Sequence, residues 1–504
     1  MRPVNRNRRI SRGAASAALA TVLAAGCTMG PDFVRPTPQT PPHWSARATA
    51  PPAPVTSAVT EQAADQSAWW SSFKDPTLDS LIERASKSNL DLRAAMLRID
   101  EARAQRAISA SAFWPALSVD ALYDRERFSE TTPQGALFNT VGTVHAPGSP
   151  GLTIPNPYNQ LQLSGSASWE IDLFGRVRRS VEAAQAGVQV SIEDQRAVLV
   201  SVLSDVAQNY IELRGAQARL RISQENLATI EELLDLTRQR RAAGLTTHID
   251  VSNALAQADT TRAQLPAFAM QITLSINQLS ELLGREPEAL RIELDPAAAV
   301  PSVPAEVSIG LPSELARRRP DIREAEANLH AATAQIGVAV ADLFPRLTLE
   351  GSGGFQSQNT GNLLTWASRF GSIGPALDLP VFDRGRWKTV KLYDVRAQQA
   401  ALGYQRTVLN ALHEVENALA AYGADQQRRA WLDATVAQNR DALALSRKRY
   451  ESGVMTFIDV LDVERTLEQN ELSLSDSVTA VSSDLVRLYR ALGGGWPQGP
   501  PSAM

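Results

Sequence analysis

Asp459 and Asp462 stand three residues apart, a spacing that puts both carboxylates on one face of a helix. Like charges held that close repel, raise one another's pKa and attract cations. A second reading fits the same pair: a solvated helix start, with Asp459 near the N-terminal dipole and Asp462 paired to Arg465. Other reactive side chains offer less. His43, His145, His248, His330 and His413 are scattered too widely for a histidine metal cluster, and a single cysteine, Cys27, allows neither an internal disulfide nor a cysteine zinc site. Gly351-Ser352-Gly353-Gly354 lacks the lysine of a phosphate loop, no Gly-x-Ser-x-Gly occurs, and His413-Glu414 has no second histidine four residues on. Arg317-Arg318-Arg319, with Pro320 behind it, reads as a solvated helix segment because no wider basic patch supports a nucleic-acid site. Trp69 and Trp70 read as packing residues rather than a binding platform. The expectation is a protein that is not an enzyme and needs no cofactor or metal.

Composition narrows the class further. The chain has 504 residues, 44% hydrophobic and 21% charged, with 50 basic against 54 acidic side chains. That balance excludes a nucleic-acid binder, a polybasic membrane-surface protein and a charge-extended disordered chain. Length allows several cores and, as a soft prior, about three domains.

The N-terminus has the form of an export signal. Arg2, Arg6, Arg8, Arg9 and Arg12 precede an apolar run from Ala14 to Ala25, too short to span a bilayer. Leu23-Ala24-Ala25-Gly26-Cys27 resembles a bacterial lipobox, with Ala24 where leucine or valine is commoner. It would make Cys27 the lipidated first residue of the mature chain, the alternative being an ordinary signal with a chance cysteine beside its cleavage site. Thr28, where some lipoproteins carry aspartate, favours outer-membrane sorting by the same resemblance. No later segment offers 18 continuous apolar residues, so a membrane crossing would have to be a β-barrel.

The rest of the chain repeats itself. Gly244, Thr247, Ile249, Asp250 and Val251 recur 209 positions on as Gly453, Thr456, Ile458, Asp459 and Val460. Upstream, Phe113-Trp114-Pro115-Ala116-Leu117 resembles Leu343-Phe344-Pro345-Arg346-Leu347, and Ile171-Asp172-Leu173 resembles Leu377-Asp378-Leu379. The first copy carries extra residues between these two motifs, in the Gly/Pro-rich stretch from Thr131 to Asn159, which reads as a long loop.

Period assigns the segments. Ile192, Leu199, Val206, Leu213, Leu220, Leu227 and Leu234 form a heptad seam, so the proline-free stretch from Arg176 to Arg241 reads as one helix roughly 100 Å long at about 1.5 Å per residue. Its counterpart runs from Arg384 to Glu451. Companion helices are expected at Thr247–Leu283 and Thr456–Leu492, with Leu78–Ser111 and Pro312–Ala341 preceding the aromatic-proline motifs. Strand signals sit only between helices. Leu161, Leu163, Gly165, Ala167, Trp169 and Ile171 alternate with Gln160, Gln162, Ser164, Ser166, Ser168 and Glu170, and Leu117, Val119, Ala121 and Tyr123 repeat the idea. Both a transmembrane barrel strand and a soluble sandwich strand alternate in this way. Four candidate strands are too few for one chain to close a membrane barrel, so a barrel would need several chains.

Together the motifs resemble outer-membrane efflux proteins of the TolC and OprM type, in the NodT-like lipoprotein branch. The similarity is carried by Cys27-Thr28-Met29-Gly30-Pro31-Asp32-Phe33, Trp69-Trp70-Ser71-Ser72-Phe73-Lys74-Asp75-Pro76, Trp169 through Arg176, Leu311 through Arg323, and Pro380-Val381-Phe382-Asp383. It implies a mixed α and β membrane protein: a homotrimer in which each subunit gives four strands to a twelve-stranded β-barrel, continued by a long periplasmic α-helical barrel. The domains expected are a signal peptide at 1–26, a lipidated segment at 27–75, one repeat at 76–290, a second at 305–492 and a tail at 493–504. Barrel strands would lie near 116–126, 159–171, 346–356 and 370–380, and hairpin tips near 244 and 453.

The resemblance also assigns roles. Gly244-Leu245-Thr246 and Gly453-Val454-Met455 would contact a periplasmic adaptor protein, though turn chemistry alone also explains the glycines. Asp459 and Asp462 would line the pore gate, and Tyr450 would help hold the tip closed. The first copy has Asp250 but Asn253 at the matching places. The implied function is a passive exit duct for small molecules delivered by an inner-membrane transporter, sited in the bacterial outer membrane and anchored by the covalent lipid on Cys27. Two alternatives are the duct of a type I protein-secretion system and a periplasmic adaptor lipoprotein, which would have no barrel strands.

Overall fold

Alternating and heptad patterns become strands and helices in a fixed order in the computed structural model, which describes residues 28–45, 57–62, 65–133 and 156–497. Strand β1 (Ala58–Thr60) and a 3-10 turn (Trp69–Phe73) precede helices α1 (Pro76–Ser88) and α2 (Leu90–Ser111). Strands β2 (Ala116–Glu126) and β3 (Tyr158–Ile171) follow, then the long helix α3 (Arg176–Ala242) and α4 (His248–Leu282). After α5 (Arg291–Leu294) and β4 (Glu306–Ser308) come α6 (Leu315–Arg318), α7 (Pro320–Ala341), β5 (Arg346–Ser357) and β6 (Arg369–Asp378). The second long helix, α8 (Arg384–Glu451), and α9 (Phe457–Ala491) complete the order. Among the described residues no helix is long and apolar enough to cross a membrane. The export signal, Cys27, most of the Thr131–Asn159 loop and the end of the tail lie outside the described residues.

Three expectations about secondary structure need correction. Leu78–Ser111 is not one helix: Asn89 takes an extended conformation (φ −60°, ψ 133°) between α1 and α2. Its side chain accepts from Leu92 N (3.0 Å) and donates to Leu282 O (2.8 Å), so the break is held from both sides. Pro312–Ala341 is also interrupted, at Arg319 (φ −78°, ψ 123°), because the ring of Pro320 disfavours helix in the residue before it. Strands also occur outside the helix-to-helix connections, where β1 pairs in parallel with β4, Ala58 opposite Glu306 and Thr60 opposite Ser308.

The chain divides into two units. The first comprises residues Ala102–Gly187 and Leu329–Ala400 with the described part of the first 34. Its centre is an antiparallel sheet in the order β2-β3-β5-β6. Register puts Val119 opposite Gly165, Gly165 opposite Gly353, and Gly353 opposite Gly371, so the apolar sets of all four strands share one face. The other face is polar: Ser118 and Ser166 hydroxyls meet at 2.7 Å, and Ser352 and Ser372 at 2.8 Å. Leu117, Val119 and Ile373 on the apolar face are about four-fifths exposed in the single chain. Among the described residues β2 and β6 each keep one unpaired edge. The segment after Cys27 is tied into this unit, with Met29 N on Phe174 O (3.1 Å), Arg179 on Asp32 (2.5 Å) and Phe33 stacked on His330. Gly175 (φ +81°) sits where a β-carbon would be 2.9 Å from Thr28 Cα.

The second unit holds Arg35–Glu101, Val188–Asn328 and the chain from Ala401 onward. A large core joins Leu78, Leu81, Leu203, Tyr210, Leu279 and Leu485, with Trp69 stacked on Tyr489 at 5.2 Å. Arg318 and Arg319 are buried in this unit rather than solvated. Arg319 binds Asp321 (2.7 Å), Glu414 (2.7 Å) and the carbonyl of Ala491 (2.8 Å), and Arg318 binds Glu314 (2.9 Å). Neutralising carboxylates and an open helix C-terminus are what allow guanidinium groups inside. A smaller core nearer the glycine turns contains Leu233, Leu234, Ala254, Tyr450, Phe457 and Val460.

Candidate functional site: the two glycine turns

Each long helix ends in the same way. Gly244 (φ +75°) follows α3 and Gly453 (φ +74°) follows α8, both in the left-handed region that favours glycine. Leu245 N reaches Arg240 O (2.8 Å) and Gly244 N reaches Arg241 O (2.9 Å); Val454 N and Gly453 N make the matching bonds to Arg449 O (2.9 Å) and Tyr450 O (3.0 Å). This double closure satisfies carbonyls that a helix end leaves free. In both copies the N-cap of the next helix lies three residues after the glycine and opens it with a capping box, Thr247 with Asp250 and Thr456 with Asp459.

The predicted site residues separate into an exposed set and a packed set. Gly244, Leu245, Gly453 and Val454 are exposed, and Leu245 and Val454 present apolar side chains together with Ile249 and Ile458. Thr246 is half-buried and donates to Asp250 (2.5 Å), while Met455 packs against the core around Tyr450. Partial burial pushes Asp250 up, but hydrogen bonds from Thr246 and Thr247 outweigh it and hold the carboxyl below the usual range. Asp459 and Asp462 are both exposed. Asp459 accepts from Thr456 Oγ1 and from Thr456 N (3.3 Å), so its carboxylate caps the helix, whereas the backbone carbonyl of Asp462 accepts from Thr466 Oγ1 (2.8 Å).

Tyr450 is buried, edge-on to Phe457 at 5.9 Å, and its hydroxyl has no hydrogen-bond partner among the described residues. Arg240, which sequence reasoning did not single out, lies over its ring at 4.5 Å and donates to Tyr450 O (2.7 Å) and Glu451 O (3.3 Å). A positive side chain thereby meets both an aromatic face and the negative end of α8. Also missed were Glu464 and Glu468, buried on the seam of α9. Burial pushes Glu464 up to about 7, against the pull of Arg447 (3.4 Å), and raises Glu468 despite bonds from Thr261 and Gln257. The available signal was a carboxylate at positions where Val460, Leu461 and Leu467 mark an apolar stripe. Among the described residues no group of His, Cys, Asp and Glu is arranged to hold a metal ion.

A sheet with one apolar and one polar face, in a chain that also carries two glycine-tipped helical hairpins, has the parts of an outer-membrane channel protein. The chain belongs to the outer membrane efflux protein family, whose model matches residues 81–285 and 311–494. It is similar to outer membrane protein OprJ of Pseudomonas aeruginosa, 34% identical over 486 residues and 96% of each chain. Nodulation protein T of Rhizobium leguminosarum bv. trifolii is 30% identical over 484 residues, covering 94% of this chain and 96% of that protein. The solved structure of the outer-membrane channel OprN superposes with a TM-score of 0.82 at 33% identity, covering 94% of this chain and all of that one.

Proposed function

We propose that three copies of the chain close a twelve-stranded barrel and form the outer-membrane exit duct of a tripartite efflux system. The duct passively conducts small molecules passed from an inner-membrane transporter through a periplasmic adaptor. The carrying observation is the β2-β3-β5-β6 sheet, whose apolar face is exposed and whose β2 and β6 edges are unpaired among the described residues. An open edge cannot stand in lipid, and pairing β2 of one copy with β6 of the next removes every edge at once. Strands of 11, 14, 12 and 10 residues suit the roughly 9–11 residues that a tilted strand needs to cross a bilayer.

In this reading Cys27 carries the lipid. Thr28 lies against Gly175, four residues beyond the end of β3, so an acyl chain on its neighbour would enter the membrane beside the barrel. Leu245, Ile249, Val454 and Ile458 form the apolar part of the adaptor-contacting tips. Asp459 and Asp462 line the gate as rings of carboxylates, and Tyr450 with Arg240 holds the tip shut from within each subunit.

Removing the chain from its host should raise retention of a fluorescent efflux substrate, and restoring it should return retention to normal. Unchanged retention with the protein correctly placed in the outer membrane would overturn the reading. Outer-membrane extracts should also contain a trimer that heating dissociates, and a Cys27→Ala chain should lose incorporated palmitate.

A further inference from the structure

Charge is sorted by sign between the two faces of the β2-β3-β5-β6 sheet. The acidic residues of the four strands are Asp120, Asp124, Glu126, Glu170, Glu350 and Asp378, and the register places every one of them on the polar face. The apolar face carries two charged residues, Arg125 and Arg369, and no carboxylate. Both stand at the same end of the sheet. Arg125 is the next-to-last residue of β2, opposite Asn159, and Arg369 is the first of β6, opposite Phe355. This is the hairpin end; the other end runs into the helices, and there Thr28 lies against Gly175.

Neither guanidinium is neutralised locally. Both arginines are exposed, and among the described residues neither has an ion pair. Arg369 donates Nε to Trp366 O (2.8 Å) and lies over the Trp366 ring, which leaves its charge facing outward. Aromatic and aliphatic side chains surround the pair: Tyr123 shares the face of Arg125 and donates to Asn159 Oδ1 (3.3 Å), while Leu364 and Trp366 are 70% and 78% exposed. An acid-free apolar band edged by aromatic rings and arginines places hydrocarbon contact and cationic contact side by side. Arginine matches phosphate oxygens bidentately, so the complementary headgroup is a phosphate. A soluble anion would leave the adjoining band bare, whereas a phosphorylated lipid covers both.

We propose that this rim binds an acylated lipid carrying two phosphate groups, held at each subunit seam. The inference rests on the exit-duct reading. Pairing β2 of one copy with β6 of the next brings Arg125 and Arg369 of neighbouring copies to the same seam, and puts the hairpin end in the outer leaflet. Each guanidinium takes one phosphate, and the acyl chains lie on the Val119 and Ile373 surfaces.

The test titrates the purified full-length trimer with diphosphoryl lipid A, its monophosphoryl form and phosphatidylcholine, and reads retained lipid by native mass spectrometry. Retention of one diphosphoryl lipid per seam is expected, with the monophosphoryl form weaker and phosphatidylcholine weaker still. Arg125→Gln and Arg369→Gln should each weaken retention about fivefold and together on the order of twentyfold, as expected for loss of one and two interfacial cations. Heat-modifiable gels show that each variant still forms the trimer. A trimer that retains phosphatidylcholine as well as the diphosphoryl lipid, or a double variant that retains the diphosphoryl lipid unchanged, overturns this proposal and leaves the duct reading standing. Displacement by inorganic phosphate would reassign the arginines to a free anion and overturn the lipid. A chain that forms no trimer overturns both readings.

Discussion

Arg240, at the end of one long helix, donates to the carbonyl of Tyr450 at the end of the other, 2.7 Å away, with its guanidinium 4.5 Å above the ring of the same residue. One side chain thus ties the two hairpins of a subunit together at their turns. The tyrosine contributes its ring and its backbone to this link, while its hydroxyl has no partner among the described residues.

Replacing Arg240 with alanine should therefore loosen the turns by about 2 kcal/mol, the sum of a cation–π contact and a charge-assisted hydrogen bond. Tyr450→Phe should stay within about 0.5 kcal/mol of the wild type, because it removes only an unpaired hydroxyl. Denaturant melts of both variants measure this. A larger loss for the phenylalanine variant would show that another subunit uses the hydroxyl in the assembled protein.

The two carboxylates proposed for the gate, Asp459 and Asp462, should respond differently to neutralisation. Asp459→Asn removes the carboxylate that caps α9 and should cost about 1 kcal/mol of stability as well as part of the cation selectivity. Asp462→Asn should change selectivity and divalent block while leaving the melt alone. Planar-bilayer recordings beside thermal melts separate the two effects, and an unchanged reversal potential in the double variant would remove both residues from the conduction path.

Glu464 gives the turn region a dependence on pH. Its folded-state value is raised from 4.5 to about 7, so between those values the native state binds more protons than the unfolded chain. Its contribution is full below about 4.5 and is lost as pH rises through about 7, on the order of 3 kcal/mol in all. Glu464→Gln should flatten the stability curve across that window and be the more stable form at pH 8, as urea melts at several pH values would record.

The faces of the sheet predict a contrast between adjacent residues. Val119→Lys puts a charge on the apolar face and should cost up to about 4 kcal/mol, whereas Ser118→Lys points to the polar face and should be tolerated. The folded fraction on heat-modifiable gels reads this directly. Equal loss for both would contradict a lipid-facing odd-numbered side of β2.

The elements most legible in the amino-acid sequence were those that repeat a single physical rule many times. The seam from Leu199 to Leu234 carries α3, and the alternation from Gln160 to Ile171 carries β3. Features settled by one distant partner were not legible. The break at Asn89 depends on the carbonyl of Leu282, nearly two hundred residues on, and the burial of Arg319 depends on Glu414 and the end of α9. The β1 and β4 strands are three residues each, too short to show a period. At the turns, glycine and threonine announced the geometry, but Arg240 looked like any basic residue closing a helix, and only the position of Tyr450 gives it a task.

The parallel pairing of β1 with β4 imposes a schedule on synthesis. Thr60 meets Ser308 across 248 residues, so the N-terminal strand of this unit leaves the ribosome with its partner not yet translated. Local hairpins can form as they emerge, but this ladder closes only after most of the chain is present. A product truncated anywhere before Glu306 lacks the strand that completes its own beginning, and it carries that open edge until a protease or a chaperone takes it.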